Sequence, residues 1–177
     1  MPNSIRNQTV WTGPTGSLAT YNVSPNSANL PAVSPYVLGQ LGYSVESNGS
    51  VYTFVVLDSG SAVGYTANQL LYWRNKSTKT VTNDITRATG GRNAPAGVLQ
   101  VASTAGNYVA MIIAGYNIPV QATGTIAAGD FLIANSTNGV VTNSAAGTAP
   151  GYFTVGMALG AVANGLVNAD LDIQQLY

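Results

Sequence analysis

Apolar and polar residues alternate along most of this chain from Tyr36 onward, and this two-residue period limits the fold to one built from β-strands. The clearest alternation is in residues 167–174 (VNADLDIQ), whose apolar members would share one face of a half-buried strand. Residues 50–57 (SVYTFVVL) and 108–114 (YVAMIIA) are rich in β-branched and aromatic residues and predict strands buried on both faces. Asn-Gly and Gly-Gly turn signals separate these runs. We therefore predict an all-β chain with a compact body, either a β-sandwich or barrel-like.

The first 35 residues have a different composition and predict an extended arm. They contain five of the eight prolines, separated mainly by Ser, Asn, Thr and Gly. Proline donates no hydrogen bond to a sheet and breaks helices, so residues 1–35 are expected to form a unit distinct from the body at 36–177. Trp11, Tyr21 and Leu30 would be apolar anchors along this arm. Three interpretations stay open: the arm lies on a neighbouring subunit, wraps its own body, or is disordered.

An internal repeat is visible when the chain is aligned with itself. Residues 64–84 align without a gap with residues 124–144, and after one deletion the match continues from Gly97/Gly156 to Ala110/Ala169. The identical pairs in the first stretch are Gly64/Gly124, Ala67/Ala127, Asn75/Asn135, Val81/Val141, Thr82/Thr142 and Asn83/Asn143, and Leu71, Tyr72 and Trp73 correspond to Phe131, Leu132 and Ile133. We predict two related β units, at 64–114 and 124–173, joined through a shared core.

The composition excludes most kinds of chemistry. Charged residues make up 7% of the chain, six acids balance six bases, and there is no His and no Cys. Disulfides, thiolate catalysis and His-bound metals are therefore excluded, and no opposed pair of carboxylates is evident. We predict no enzymatic activity, no cofactor and no metal.

The same composition argues against two classes of partner. A net charge of zero gives no long-range attraction to nucleic acid or to anionic lipid. The N-terminus (MPNSIRNQTV) has no basic start followed by an apolar core, and the most apolar run is too short to cross a bilayer. We expect no nucleic-acid and no membrane partner, and assembly in a cytoplasm.

The basic residues are unevenly placed. Every charged residue beyond Arg92 is an acid. Asp84 is the only acid in the stretch from Arg74 to Arg92, which contains five bases. Those bases are Arg74, Lys76, Lys79, Arg87 and Arg92. They are either solvated loop residues or a basic edge that meets acids on a neighbour. Together with the arm anchors, they are our candidate partner-binding residues.

Two segments carry a resemblance to a known family. Residues 126–148 (IAAGDFLIANSTNGVVTNSAAGT) and 155–173 (VGMALGAVANGLVNADLDI) look like the recurring pattern of phage capsid decoration, or cement, proteins. That pattern is a Gly-Asp before a strand, a Gly turn, a VGxAL strand and a closing strand of alternating apolar residues. Residues 81–115 are similar to stretches of larger phage head-surface proteins, so the resemblance covers roughly 64–173. A Pro-rich arm of this length departs from the family's usual pattern.

The resemblance implies an all-β fold, no catalysis and attachment to the outside of a capsid, often as trimers. The implied partners are the major capsid protein and further copies of this chain, as a homotrimer or a dimer, on the surface of a virion. Two alternatives stay open. One is another virion component, such as a head-fibre base, a tail-tube subunit or a tail-tip subunit. The other is a carbohydrate-binding β-module using Tyr65, Tyr72, Trp73 and Tyr152 as exposed aromatics.

Overall fold

The computed structural model describes residues 49–144 and 153–173, together with the backbone of three short strands nearer the N-terminus. The described residues form twelve strands and one 3-10 turn at Gly91–Asn93, which confirms the all-β, barrel-like class. In chain order the strands are β1 (Thr9–Val10), β2 (Asn22–Val23), β3 (Leu41–Tyr43), β4 (Val51–Leu57), β5 (Gln69–Asn75), β6 (Thr80–Thr82), β7 (Pro95–Leu99), β8 (Tyr108–Gln121), β9 (Phe131–Ala134), β10 (Val141–Asn143), β11 (Thr154–Ala158) and β12 (Leu166–Asp172).

Five strands close into a first barrel. Their order is β4-β6-β5-β7-β8, and β8 returns to pair with β4, so the sheet has no free edge within this set. Only the first half of β8, residues 108–114, takes part in that closure. The interior is filled by a cluster that includes Val55, Leu71, Trp73 and Met111.

The second half of β8, residues 115–121, begins a second five-stranded set. It pairs with β12, and the order continues through β11 and β9 to β10. The ends of this set meet through a parallel bridge between Ala122 and Val141, and the amide of Thr123 donates to the carbonyl of Val141 at 3.0 Å. We call this set the second barrel. Strand β8 therefore belongs to both barrels.

The two barrels share an apolar core. One contiguous cluster contains interior residues of the second barrel, such as Leu132 and Val167, and residues on the outside of the first barrel, such as Tyr52, Leu70 and Val98. The outside of the first barrel is thus buried by the second. This arrangement removes from water an apolar face that a free barrel would expose.

The two barrels have the same strand order and the same pairings. Strands β6-β5-β7-β8 of the first barrel correspond to β10-β9-β11-β12 of the second, with every neighbouring pair antiparallel. The strand that closes the first barrel, β4, lies parallel to β6. The end of β8 closes the second barrel and runs parallel to β10. Both sets also carry a bulge at the corresponding place, Ala96 on β7 and Val155 on β11. We interpret this correspondence as the product of a duplication.

The strand pairing corrects the gapless register of the repeat. Gly97 pairs with Leu71, and Gly156 pairs with Leu132, so Leu71 corresponds to Leu132 and not to Phe131. A bulge between Trp73 and Asn75 accounts for the extra residue, because it adds one position to β5 that β9 lacks. Phe131 corresponds to Leu70 by the same pairing. A shift of one residue in a strand moves a side chain to the opposite face.

Most of the predicted arm lies outside the described residues, including Trp11, Tyr21 and Leu30. Two short strands of the arm are described. β2 pairs with β8 of the same chain, Asn22 opposite Val109, and β1 pairs with β3, which in turn pairs with β4. At these points the backbone of the arm follows its own body. Contact of the arm with another subunit stays a prediction.

Candidate docking surface

Asp58 and Arg87 form an ion pair within the first barrel. Arg87 Nε donates to Asp58 Oδ2 at 2.6 Å and Nη2 donates to Oδ1 at 3.2 Å, while the amide of Gly60 donates to Oδ1 as well. The Arg87 hydrogen bond holds the pKa of the buried Asp58 carboxyl below its usual value, although burial opposes this shift. Arg87 is therefore used to hold the chain's own loop.

Arg92 also serves the chain's own fold. Its Nε and Nη2 atoms donate to the carbonyl oxygen of Ala134 at 3.1 and 2.8 Å, so a side chain of the first barrel reaches the end of β9 in the second. Two further bonds join the barrels here: the amide of Ile85 donates to Asn138 Oδ1 at 2.9 Å, and the amide of Leu70 donates to the Gly139 carbonyl at 2.8 Å. The β9–β10 hairpin thus lies against the first barrel beside Leu70.

The other three bases lie around the β5–β6 hairpin. Arg74 and Lys76 are exposed, and Lys79 is half-buried with its Nζ 5.9 Å from the centre of the Trp73 ring, within the range of a cation–π contact. The structure thus divides the predicted basic edge in two. Arg87 and Arg92 donate hydrogen bonds to other loops and strands of the molecule, and Arg74, Lys76 and Lys79 lie together around the β5–β6 hairpin. Binding of a partner by any of the five stays a prediction.

The polar residues that recur in the repeat hold equivalent loops. Gln69 Oε1 accepts from the amide of Thr66 at 3.0 Å and from Asn83 Nδ2 at 2.9 Å. In the second barrel, Asp130 Oδ2 accepts from the amide of Ala127 at 2.9 Å and from Asn143 Nδ2 at 3.5 Å.

The same loop is therefore held by an amide in one barrel and by a carboxylate in the other. Asp130 belongs to the Gly-Asp motif of the family resemblance, and its hydrogen bonds give it a structural role in this chain.

Three of the four aromatic residues proposed as a sugar-binding surface are buried. Tyr65, Tyr72 and Trp73 are 4%, 0% and 4% exposed, and Tyr152 lies outside the described residues. Tyr65 donates its hydroxyl to the carbonyl of Asp58 at 3.1 Å. A sugar platform requires exposed ring faces, so the prediction of a platform built on these residues is wrong. Trp73 is buried because it lies on the interior-facing side of β5, where it fills the first barrel.

A row of exposed side chains crosses the outside of the second barrel. Phe131 on β9 pairs with Met157 on β11, and Met157 pairs with Asp170 on β12. Phe131 and Met157 are 57% and 38% exposed, which is high for large apolar residues. Tyr116, 58% exposed, and Asp172 border the same shallow depression. We call these five residues the outer row.

The equivalent positions of the first barrel are buried. By strand pairing, Leu70, Val98 and Ile112 correspond to Phe131, Met157 and Asp170. Those three residues are at most 2% exposed and belong to the core shared with the second barrel. The same surface is thus covered in one barrel and open to solvent in the other.

The sequence contained a signal for the outer row that the alignment concealed. Phe131 was matched to the interior residue Leu71, although its structural counterpart is the outward-facing Leu70. The correct register would have placed Phe131 and Met157 on the surface together with Asp170. The Asp-containing alternation of β12 had already indicated that this side of the strand meets water.

Within the described ranges, no group of three or more His, Cys, Asp or Glu side chains is arranged to hold a metal ion. In that part of the chain there is also no helix with the length and apolar character needed to cross a bilayer.

Comparisons with known proteins give one similar solved structure to report. No family model and no curated protein matches the chain. The crystal structure of the head fiber gp8.5 N base of bacteriophage phi29 is similar, with 18% sequence identity and a TM-score of 0.49 over 72% of this chain and 98% of that chain. At this identity and TM-score the similarity assigns no role to this chain. The features that define the protein are its two fused β-barrels and its exposed outer row.

Proposed function

We propose that this chain is a structural virion protein that binds the outer surface of a phage capsid and stabilises it by bridging major capsid subunits. The observation that carries the proposal is how the chain uses its polar groups. Asp58, Asp84 and Asp130 each accept backbone hydrogen bonds from nearby loops, while Asp170 and Asp172 lie exposed on one strand. This arrangement suits a protein that acts through surface contact.

The family resemblance supports the same proposal. Its most specific segments coincide with the strands of the second barrel: the Gly-Asp pair precedes β9, the VGxAL sequence is β11, and the closing alternation is β12. These segments therefore contain four of the five strands of the second barrel, all except the second half of β8. It implies a shell-bound protein without catalytic activity.

A cement protein must touch at least two shell subunits, since a contact with only one would leave the joint between them unchanged. An arm of about 35 residues extends tens of ångströms at ~3.3 Å per residue, which is enough to reach a second subunit. Several copies around a symmetry axis would provide further contacts, and many weak contacts add through avidity. Because few charges are involved, this attachment should depend little on salt.

The alternatives differ in position on the virion. A head-fibre base would also be attached to the head, whereas tail-tube and tail-tip subunits would be on the tail. The carbohydrate-binding alternative loses its main support, because three of its four aromatic residues are buried.

Immunogold electron microscopy of the phage that encodes the chain separates these positions. Antibodies raised against the body should label the outside of the head. Label confined to the tail, or no label on intact virions, would contradict the proposal.

Rebinding to heads stripped of the protein tests the bridging mechanism. The full chain should restore resistance of the heads to heat and remain bound through a gradient in moderate salt. A chain lacking residues 1–35 should fold but not remain bound, and its retention, or release of the full chain by salt, would disprove the mechanism.

A further inference from the structure

Two exposed residues, Asn164 and Gly165, form a tight turn in the connection between β11 and β12. The amide of Ala163 donates to the carbonyl of Leu166 at 2.8 Å, and the amide of Leu166 donates back to the carbonyl of Ala163 at 3.0 Å. Both central residues are left-handed, with φ of 52° and 75°. An Asn-Gly pair suits such a two-residue turn, because these two residues enter the left-handed region most easily.

The side chain of Asn164 is free to react with the adjoining backbone. Among the described residues, the carboxamide of Asn164 has no hydrogen-bond partner, and the amide of Gly165 donates to no acceptor. Both residues are exposed to solvent. Glycine also has no Cβ that would keep the Gly165 nitrogen away from Asn164 Cγ.

A second Asn-Gly pair, Asn138–Gly139 in the β9–β10 hairpin, is held more firmly. Asn138 Oδ1 accepts from the amide of Ile85 at 2.9 Å, which restrains the carboxamide. Gly139 is buried, and its carbonyl accepts from the amide of Leu70 at 2.8 Å. Reaction at Asn138 therefore requires a local opening of the structure. A third pair, Asn48–Gly49, begins outside the described residues.

We propose that Asn164 is a site of spontaneous modification, where the chain converts through a succinimide to an aspartyl or an isoaspartyl linkage. The Gly165 nitrogen loses its proton to hydroxide and forms a bond to Asn164 Cγ, and Asn164 Nδ2 takes a proton from water and leaves as ammonia. A water molecule then opens the ring. Opening at Cγ gives aspartate, whereas opening at the main-chain carbonyl gives isoaspartate, whose main chain runs through Cβ. This chemistry does not depend on attachment to a capsid.

The isoaspartyl product loosens the closure of the second barrel. The carbonyl of Gly165 accepts from the amide of Ala122 at 2.9 Å, and Ala122 forms the bridge to Val141 at which this barrel closes. Isoaspartate adds one atom to the main chain of a turn whose closing bonds fit a two-residue loop. The added atom displaces the Gly165 carbonyl from Ala122. The aspartyl product adds a charge but leaves the length of the main chain unchanged.

Peptide mapping by mass spectrometry tests the site. The folded chain is incubated at mildly alkaline pH, digested with pepsin at low pH, and analysed for a gain of one dalton at each Asn. Conversion at Asn164 should be about fivefold faster than at Asn138, or more, because the reaction at Asn138 must first break a hydrogen bond. The same chain in concentrated urea is the matched control. Both pairs are then unrestrained, and their rates should become similar.

Hydrogen exchange tests the effect on the barrel. In the isoaspartyl form, separated by chromatography, the Ala122 amide should exchange about fivefold faster than in the native chain, because its bond to Gly165 is lost. The Asn164→Asp variant carries the charge of the products without the extra main-chain atom. Its Ala122 amide should exchange at the native rate.

Two results would overturn the proposal. One is a folded chain in which Asn164 converts no faster than Asn138, although both convert in urea. The other is an isoaspartyl form whose Ala122 amide exchanges at the native rate, because the turn would then give no support to the closure of the second barrel.

Discussion

Two buried tyrosines differ in whether the hydroxyl group has a partner. Tyr65 donates its hydroxyl to the carbonyl of Asp58, whereas the hydroxyl of Tyr72 is buried with no hydrogen-bond partner among the described residues. Burial raises the pKa of Tyr72 far above the ordinary value, so this hydroxyl keeps its proton. A buried polar group without a partner is a cost to the folded state.

Tyr72→Phe is therefore expected to leave the free energy of unfolding unchanged or to raise it. The matched change Tyr65→Phe removes a hydrogen bond and leaves a carbonyl without its donor, so it should lower this free energy by about 1 kcal/mol. Urea denaturation monitored by circular dichroism measures both. Equal destabilisation by the two changes would contradict the assignment, because it would require a bonding partner for Tyr72.

The ion pair between Asp58 and Arg87 gives stability a defined dependence on pH. The pKa of Asp58 is below 3.8 in the folded chain, so the folded state favours the charged carboxyl more than the unfolded state does. The contribution is complete above the pKa of the unfolded carboxyl. It is lost as the pH falls through the lower pKa of the folded one.

Asp58→Asn should accordingly lower the free energy of unfolding by roughly 1–2 kcal/mol at neutral pH, since it breaks a partly buried charge-assisted bond that solvent screens in part. The difference from the native chain should shrink as the pH is lowered below 3.8. Thermal denaturation at a series of pH values provides the measurement. A difference that is constant down to the lowest pH would show that the ion pair is not its source.

Within the strands, two corresponding glycines allow a close approach of neighbours. A Cβ on Gly97 would overlap the side chain of Met111 and the carbonyl oxygen of Ile112, and a Cβ on Gly156 would overlap the carbonyl oxygen of Asp170. Both glycines lie next to the bulges of β7 and β11, where each strand bends towards its neighbouring strand. The repeat had matched this pair, but the sequence did not show why glycine is needed there.

Each of the changes Gly97→Ala and Gly156→Ala is expected to lower the free energy of unfolding by about 1–3 kcal/mol, because the added methyl group has no space. Gly160→Ala is the matched control, since a Cβ at that position meets no atom within 4 Å. Guanidinium denaturation of the three variants compares them directly. If Gly156→Ala were as stable as Gly160→Ala, the strand pairing at Gly156 would be incorrect.

The strands themselves were largely predictable, whereas their register was not. The runs at 50–57 and 108–114 and the alternation at 167–173 became β4, the first half of β8, and β12. Pattern alone finds such strands because each has a face that must be buried. The bulge after Trp73 leaves no mark in composition, so the gapless alignment matched the exposed Phe131 with Leu71 and not with Leu70. The Asp58–Arg87 pair was equally hidden, since its partners are 29 positions apart.

At the scale of the whole molecule, the shared core couples the stability of the two barrels. The outside of the first barrel is buried by residues of the second, and each barrel contains one half of β8. Loss of the second barrel would expose Leu70, Val98 and Ile112, which are now almost completely buried. We therefore expect one cooperative unfolding transition for both barrels.

Fluorescence of Trp73 reports this coupling from inside the first barrel. In a Trp11→Phe background, Trp73 is the only tryptophan, and Gly156→Ala in the second barrel should lower the midpoint of its thermal transition. The Gly160→Ala change in the same background should leave the midpoint in place. A Trp73 signal that is indifferent to Gly156→Ala would mean that the barrels unfold independently.

The continuous strand β8 also determines how the molecule would carry a mechanical load. Its first half is hydrogen-bonded to β4 and its second half to β12. A force that pulls the two barrels apart therefore acts along β8 and loads both sets of interstrand hydrogen bonds at once. Interstrand hydrogen bonds lie perpendicular to the strands. Such a pull shears many of these bonds together instead of opening them one by one. The molecule would therefore resist a force that pulls its two barrels apart, although β8 is irregular at Gly115–Asn117, between its two halves.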